Sequence, residues 1–129
     1  MFLPISLVAA GAAALINLWL SFRIGAMRSI TKVSIGDGGD ERLIRRMRAQ
    51  ANFIENAPIM LILIAVIEAA RPMNLWLAIV AALFILSRVA HGLGMDGGAL
   101  KQGRSIGTTV TMLALLGLGV WAVVIAFVK

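Results

Sequence analysis

Four apolar runs, two of them long enough alone to cross a bilayer, constrain this chain more than any other feature. Phe2 to Phe22 carries no charge before Arg23, and Ser105 to Val128 carries none at all. A third run starts after Pro72 and continues to Leu86, where it meets Ser87, Arg88 and His91. The second is different. Its uninterrupted part, Ala57 to Ile67, is too short to span, and it reaches about 20 residues only by including the polar stretch Met47 to Asn56. Four such helices with short loops use up all 129 residues. The expected fold is therefore all-α and integral to the membrane: a single four-transmembrane-helix bundle with spans near 2–22, 45–69, 73–93 and 104–128. The first run lacks a charged leader and a small-residue cleavage site, so it reads as a span and not as a signal peptide. Pro58 should kink the second helix.

Composition excludes most alternatives. The chain is 60% hydrophobic and 14% charged, against about 45–50% and 25% for a soluble domain. A soluble enzyme and a disordered chain are both ruled out. Without cysteine there are no disulfides, thiol nucleophiles or thiolate metal ligands, and one histidine cannot build a zinc site. Without tyrosine no phenol can act as acid or base. The net charge of +6 belongs to membrane topology, and no nucleic-acid partner is expected. Arg23, Arg28, Lys32, Arg42, Arg45, Arg46 and Arg48 flank or fill the first loop, and Arg88, Lys101 and Arg104 the third, leaving only Arg71 and Lys129 for the other side. The positive-inside rule then puts both termini outside and both basic loops in the cytoplasm. Gly36 to Asp40 and Asp96 to Gly98 supply the turns. Gly103 and Gly107 have the spacing of closely approaching helices, Asn17 reads as glue between helices, and Trp19 and Trp76 read as interface anchors.

The chemistry-bearing signal is a polar stripe where lipid is expected. Arg45, Arg48, Asn52 and Glu55 follow one another at spacings of 3, 4 and 3, so they share one helical face over about 15 Å of rise. A charge at membrane depth costs at least about 2.5–3.5 kcal/mol unless it faces protein, water or a polar ligand. Two other helices offer matching groups near the same end. Arg88 and His91 are three apart on the third, and Arg104, Thr108 and Thr111 follow at 4 and 3 on the fourth. An internal Arg–Glu network joining the helices is one reading. The excess of cation over anion favours the other, a site for an anionic ligand.

The segment Arg45-Arg46-Met47-Arg48-Ala49-Gln50-Ala51-Asn52-Phe53-Ile54-Glu55-Asn56-Ala57-Pro58 resembles the second-helix signature of the MAPEG family, the membrane-associated proteins in eicosanoid and glutathione metabolism. Arg88-Val89-Ala90-His91 and Arg104-Ser105 resemble the end of the third helix and the start of the fourth in the prostaglandin E synthase branch, and Gly36-Asp37-Gly38-Gly39 resembles the first loop of bacterial members. The resemblance covers the four-helix order of the whole chain. It implies a homotrimer in the bacterial inner membrane with cytoplasm-facing glutathione sites between subunits. The implied activity is transfer of glutathione to lipophilic electrophiles, or reduction of lipid hydroperoxides. Carried over by motif, Asn52 and Glu55 would hold glutathione, Glu55 meeting its ammonium, and Arg45 and Arg48 would order the site. Arg23 would meet a glutathione carboxylate, Arg88 and His91 would line the site, and Arg104, with Ser105 beside it, would stabilise the thiolate as the catalytic residue. No metal is implied. Two other classes stay open: a non-catalytic membrane protein that binds lipid or stabilises a partner, and a small four-helix exporter. The first helix has no acidic residue for proton coupling, which counts against the exporter.

Overall fold

A computed structural model describes residues 1–128. Lys129, part of the topology count above, lies outside the described residues. Four helices follow in order: α1 (Pro4–Thr31), α2 (Glu41–Ala70), α3 (Leu75–Gly94) and α4 (Gln102–Phe127), with a 3-10 turn at Gly98–Leu100. Each is long and apolar enough to cross a membrane. α1 continues beyond Arg23, where the charges begin, to an αL stop at Lys32. Charge ends an apolar run without ending a helix. α2 passes through Pro58 without a break in its helical assignment.

The buried positions recur at helical spacing: Ala9, Ala13, Ile16 and Leu20 on α1, and Gly107, Thr111, Ala114 and Leu118 on α4. These narrow stripes face the bundle. Large apolar residues such as Leu15, Phe22, Ile62, Leu83 and Leu113 point outward. A soluble bundle would put polar residues on that outer face; an apolar one suits a lipid surround. Small residues allow the closest approaches. A Cβ on Gly103 would strike the carbonyl of Ala90, and one on Gly107 would strike Cβ of His91. Gly11, Gly117 and Gly119 have no such neighbour within 4 Å. The α3–α4 hairpin is thus zipped by glycine along its loop end, where the candidate site residues stand.

Polar groups tie the other pairs. Gln50 donates to Ser21 Oγ at 2.6 Å and to Asn17 Oδ1 at 3.4 Å, joining α2 to α1. Asn17 is helix glue, as its isolation suggests. Trp19 lies against Gly92 of α3, and Trp76 is exposed at the opposite end. Asp40 and Asn74 cap α2 and α3. α1 has no cap of its own, since Leu3 stands at that position. Glu68, from the far end of α2, does the work instead: its two carboxylate oxygens accept the backbone N–H groups of Ile5 and Ser6, each at 3.1 Å. Glu68 is only 1% exposed, so this carboxylate is satisfied by the positive end of another helix.

Candidate functional site

At the end carrying the two basic loops, α2, α3 and α4 diverge around a cleft of about 540 Å³. Arg45, Arg48 and Asn52 enter it from one face of α2, as their spacing of 3 and 4 requires. His91, Gly94 and Met95 close it from α3, and Arg104 and Thr108 from α4. The α3–α4 loop contributes Gly97 and Lys101, and the first turn of α2 contributes Glu41. The lining therefore holds four cations, one carboxylate, one amide and one imidazole. Sequence reasoning missed Lys101 and Glu41. Each sits one turn from a residue it did select, Arg104 and Arg45, and that spacing was the available signal.

The charges are unevenly paired. Arg45 meets Glu41 at 3.2 Å, and Arg48 meets Glu55 at 3.7 Å. Among the described residues, Arg104 and Lys101 have no ion-pair partner. Beneath the cleft Arg88 is 2% exposed. Its Nη2 donates to Asn52 Oδ1 at 2.7 Å and its Nη1 to Thr111 Oγ1 at 3.1 Å, both neutral acceptors. Its Nε is buried with no partner, and its guanidinium lies 5.9 Å from the Phe53 ring centre. Asn52 is thus the link between a buried, uncompensated cation and the cleft. His91 is buried beside it, on the face that packs against Gly107.

Besides Arg88 beneath it, three of the expected site residues stand outside this cleft within one chain. Glu55 is exposed on α2, and its ion pair among the described residues is with Arg48. Ser105 is exposed at the start of α4 and is not part of the lining. Arg23, on α1, forms a salt bridge with Asp96 and lies 5.0 Å over the Trp19 ring. A separate groove of about 520 Å³ runs between α1 and α3 near the opposite end. Its lining, including Val8, Ala12, Ala82 and Leu86, is apolar throughout, so it offers nothing to orient a polar ligand.

A four-helix membrane chain with an Arg/Asn/Glu stripe on its second helix and Arg–His and Arg–Ser pairs on the next two can be compared with known families. The family model of the MAPEG family matches residues 6–124, from the first turn of α1 almost to the end of α4. The chain belongs to the MAPEG family. No individual curated protein matches it significantly. The family includes glutathione transferases and peroxidases, and its members use glutathione as cosubstrate. In this MAPEG protein the cleft residues all fall within the matched region, and the four helices make it a multi-pass membrane protein.

Proposed function

We propose that this protein is a glutathione-dependent transferase or peroxidase, acting on lipophilic electrophiles or lipid hydroperoxides from a cleft open to the cytoplasm of a bacterial inner membrane. The observation that carries the reading is the surplus of cation in and under the cleft. Arg104 and Lys101 lack ion-pair partners among the described residues, and Arg88 has only neutral ones. Glutathione carries two carboxylates and one ammonium, so arginines with a nearby glutamate complement it. Arg45, Arg48 and Asn52 would hold its charged groups, and His91 with the Arg88–Asn52 pair lies at the floor of the cleft.

Glutathione supplies the nucleophile, and the protein's residues make it reactive. Only a thiolate attacks, and the free thiol is mostly protonated at neutral pH. Arg104 is permanently charged, so its guanidinium favours the thiolate without exchanging a proton. It stands at the first turn of α4, where a lipid-dissolved acceptor can approach from the side. No cysteine or tyrosine of the protein is required.

Arg48 and Glu55 bear on assembly. Their side chains are 57% and 58% exposed on a membrane helix, and lipid is no place for such a pair. A second copy covering that face would bury them and bring Glu55 and Ser105 into a shared site, consistent with a homotrimer. Native mass spectrometry should then show trimers, and a sole monomer would argue against this.

The deciding experiment is calorimetric titration of the purified protein with glutathione, in parent and Glu55→Gln. The parent should bind, and the variant should bind about tenfold or more weakly, the size of one charge-assisted contact of roughly 1.5–3 kcal/mol. Equal affinity would leave Glu55 a purely structural partner of Arg48. No binding by the parent would favour the non-catalytic reading.

A further inference from the structure

The loop between α3 and α4 has two sides. Met95 and Gly97 line the cleft, whereas Asp96 between them turns away, to Arg23 of α1 and Arg46 of α2. Arg46 grips the carboxylate at two points, Nε to Oδ1 at 3.2 Å and Nη2 to Oδ2 at 3.3 Å. Its third nitrogen, Nη1, donates to the Arg23 carbonyl at 2.8 Å. Arg23 bonds the same Oδ2 while lying over Trp19. Both arginines are only 18% exposed. Arg23 is therefore held by a carboxylate, a ring and a neighbouring arginine, all from its own chain.

We infer that Asp96 is a positioning residue for the cleft, and that Arg23 acts on its own chain's cleft through Asp96. This rests on the proposed glutathione function. Gly97 and Gly98 both have positive φ, so this short loop has ample freedom unless something pins it. Asp96 is that pin. It fixes Gly97 against Arg45, close enough that a Cβ on Gly97 would lie 2.7 Å from Arg45 Nη1. It also fixes the entry to α4, where the Arg104 N–H reaches the Lys101 carbonyl at 3.4 Å. Releasing the loop shifts both arginines relative to a bound ligand.

The test is a cycle of Asp96→Asn, Arg23→Gln and the double variant, with Asp96→Glu as the conservative replacement. Three quantities are read: amide hydrogen exchange over residues 95–104 without ligand, glutathione affinity, and the ultraviolet thiolate signal of bound glutathione. Asp96→Asn should speed exchange, weaken binding and lower the thiolate signal. A displacement near 1 Å gives losses of up to about 10²-fold, and about tenfold is expected here. The direction is diagnostic. Removing a nearby negative charge by itself favours thiolate, so a carboxylate acting only as a remote charge would raise the signal. Asp96→Glu should restore part of each quantity, and Arg23→Gln should add nothing in the Asp96→Asn background. Unchanged exchange in Asp96→Asn, a raised thiolate signal, or a further loss of affinity from Arg23→Gln in that background would each overturn the inference. A parent that binds no glutathione would instead remove the proposed function, while the exchange measurement still decides whether Asp96 pins the loop.

Discussion

Replacing Gly107 by alanine tests whether the glycine seam between α3 and α4 sets the geometry of the cleft. The new Cβ would meet Cβ of His91 and lie 2.6 Å from the Ser87 carbonyl oxygen. That is about 0.8 Å inside the 3.4 Å at which ordinary contact begins. The opposing atoms are backbone and a Cβ, so no side-chain rotation gives relief and α4 has to move. Overpacking of this kind costs about 1–3 kcal/mol. Alanine returns about 0.8–1 kcal/mol of helix propensity, leaving a net loss of up to about 2 kcal/mol. The displacement passes directly to Thr108 and to Arg104, one turn away. Misplacement by about 1 Å can cost 10²-fold in rate, so conjugation should fall by about tenfold or more, beyond any loss of folded protein. Gly117→Ala is the matched control, because nothing lies within 4 Å of the Cβ it adds. Thermal unfolding followed by tryptophan fluorescence, and initial rates with glutathione and a lipophilic aryl halide, compare the two in one detergent. If both variants melt and react alike, the seam accommodates a methyl group and the packing argument fails.

Three further outcomes follow from separate features. Arg104→Ala should lower conjugation by about 10²–10³-fold while glutathione still binds, and Arg104→Lys should recover only part because an ammonium lacks the planar fork; a full thiolate signal in the alanine variant would clear this residue. Glu68→Ala leaves the Ile5 and Ser6 N–H groups without their acceptor and should lower stability by about 1–3 kcal/mol, with Glu68→Gln milder. An unchanged melting temperature for the alanine variant would remove Glu68 as the cap of α1. The Asp40 carboxyl is held below its ordinary value of 3.8, first by its hydrogen bond with the Arg42 side chain and also by the Arg42 backbone N–H. A depressed folded value means the cap is at full strength above the unfolded value and weakens as pH falls through the folded one. Exchange at the Arg42 amide, corrected for intrinsic rate, should therefore rise in acid below about pH 4, and Asp40→Asn should flatten that rise.

The four helices were legible because an apolar run of bilayer length has few other uses. So was most of the α2 stripe, since a spacing of 3 and 4 can put Arg45, Arg48 and Asn52 only on one face, and all three line the cleft. Glu55 shares that face but lies beyond the cleft of one chain, where it pairs with Arg48. Helical spacing gives direction around an axis, not the depth at which a cavity ends. Arg23 shows a different limit. Its partner Asp96 is 73 positions away, and nothing local marks a pair that forms only when α1 meets the α3–α4 loop. Glu68 was passed over for the opposite reason. A lone acid near a helix end resembles ordinary surface chemistry until another helix begins on top of it.

Arg88 also imposes an order on how the chain enters the membrane. Its side-chain acceptors lie on either side of it in sequence: Asn52 on α2, already made when α3 emerges, and Thr111 on α4, made 23 residues later. Until α4 arrives, α3 carries a guanidinium with one of those two contacts, and a charge at membrane depth is unfavourable. α3 alone is therefore a reluctant passenger, and the tight glycine hairpin makes it natural for α3 and α4 to partition into lipid as one unit. A chain interrupted between Gly94 and Thr111 would leave that cation without Thr111. Both terminal nitrogens of the Arg88 guanidinium thus find their partners only once the last helix is in place.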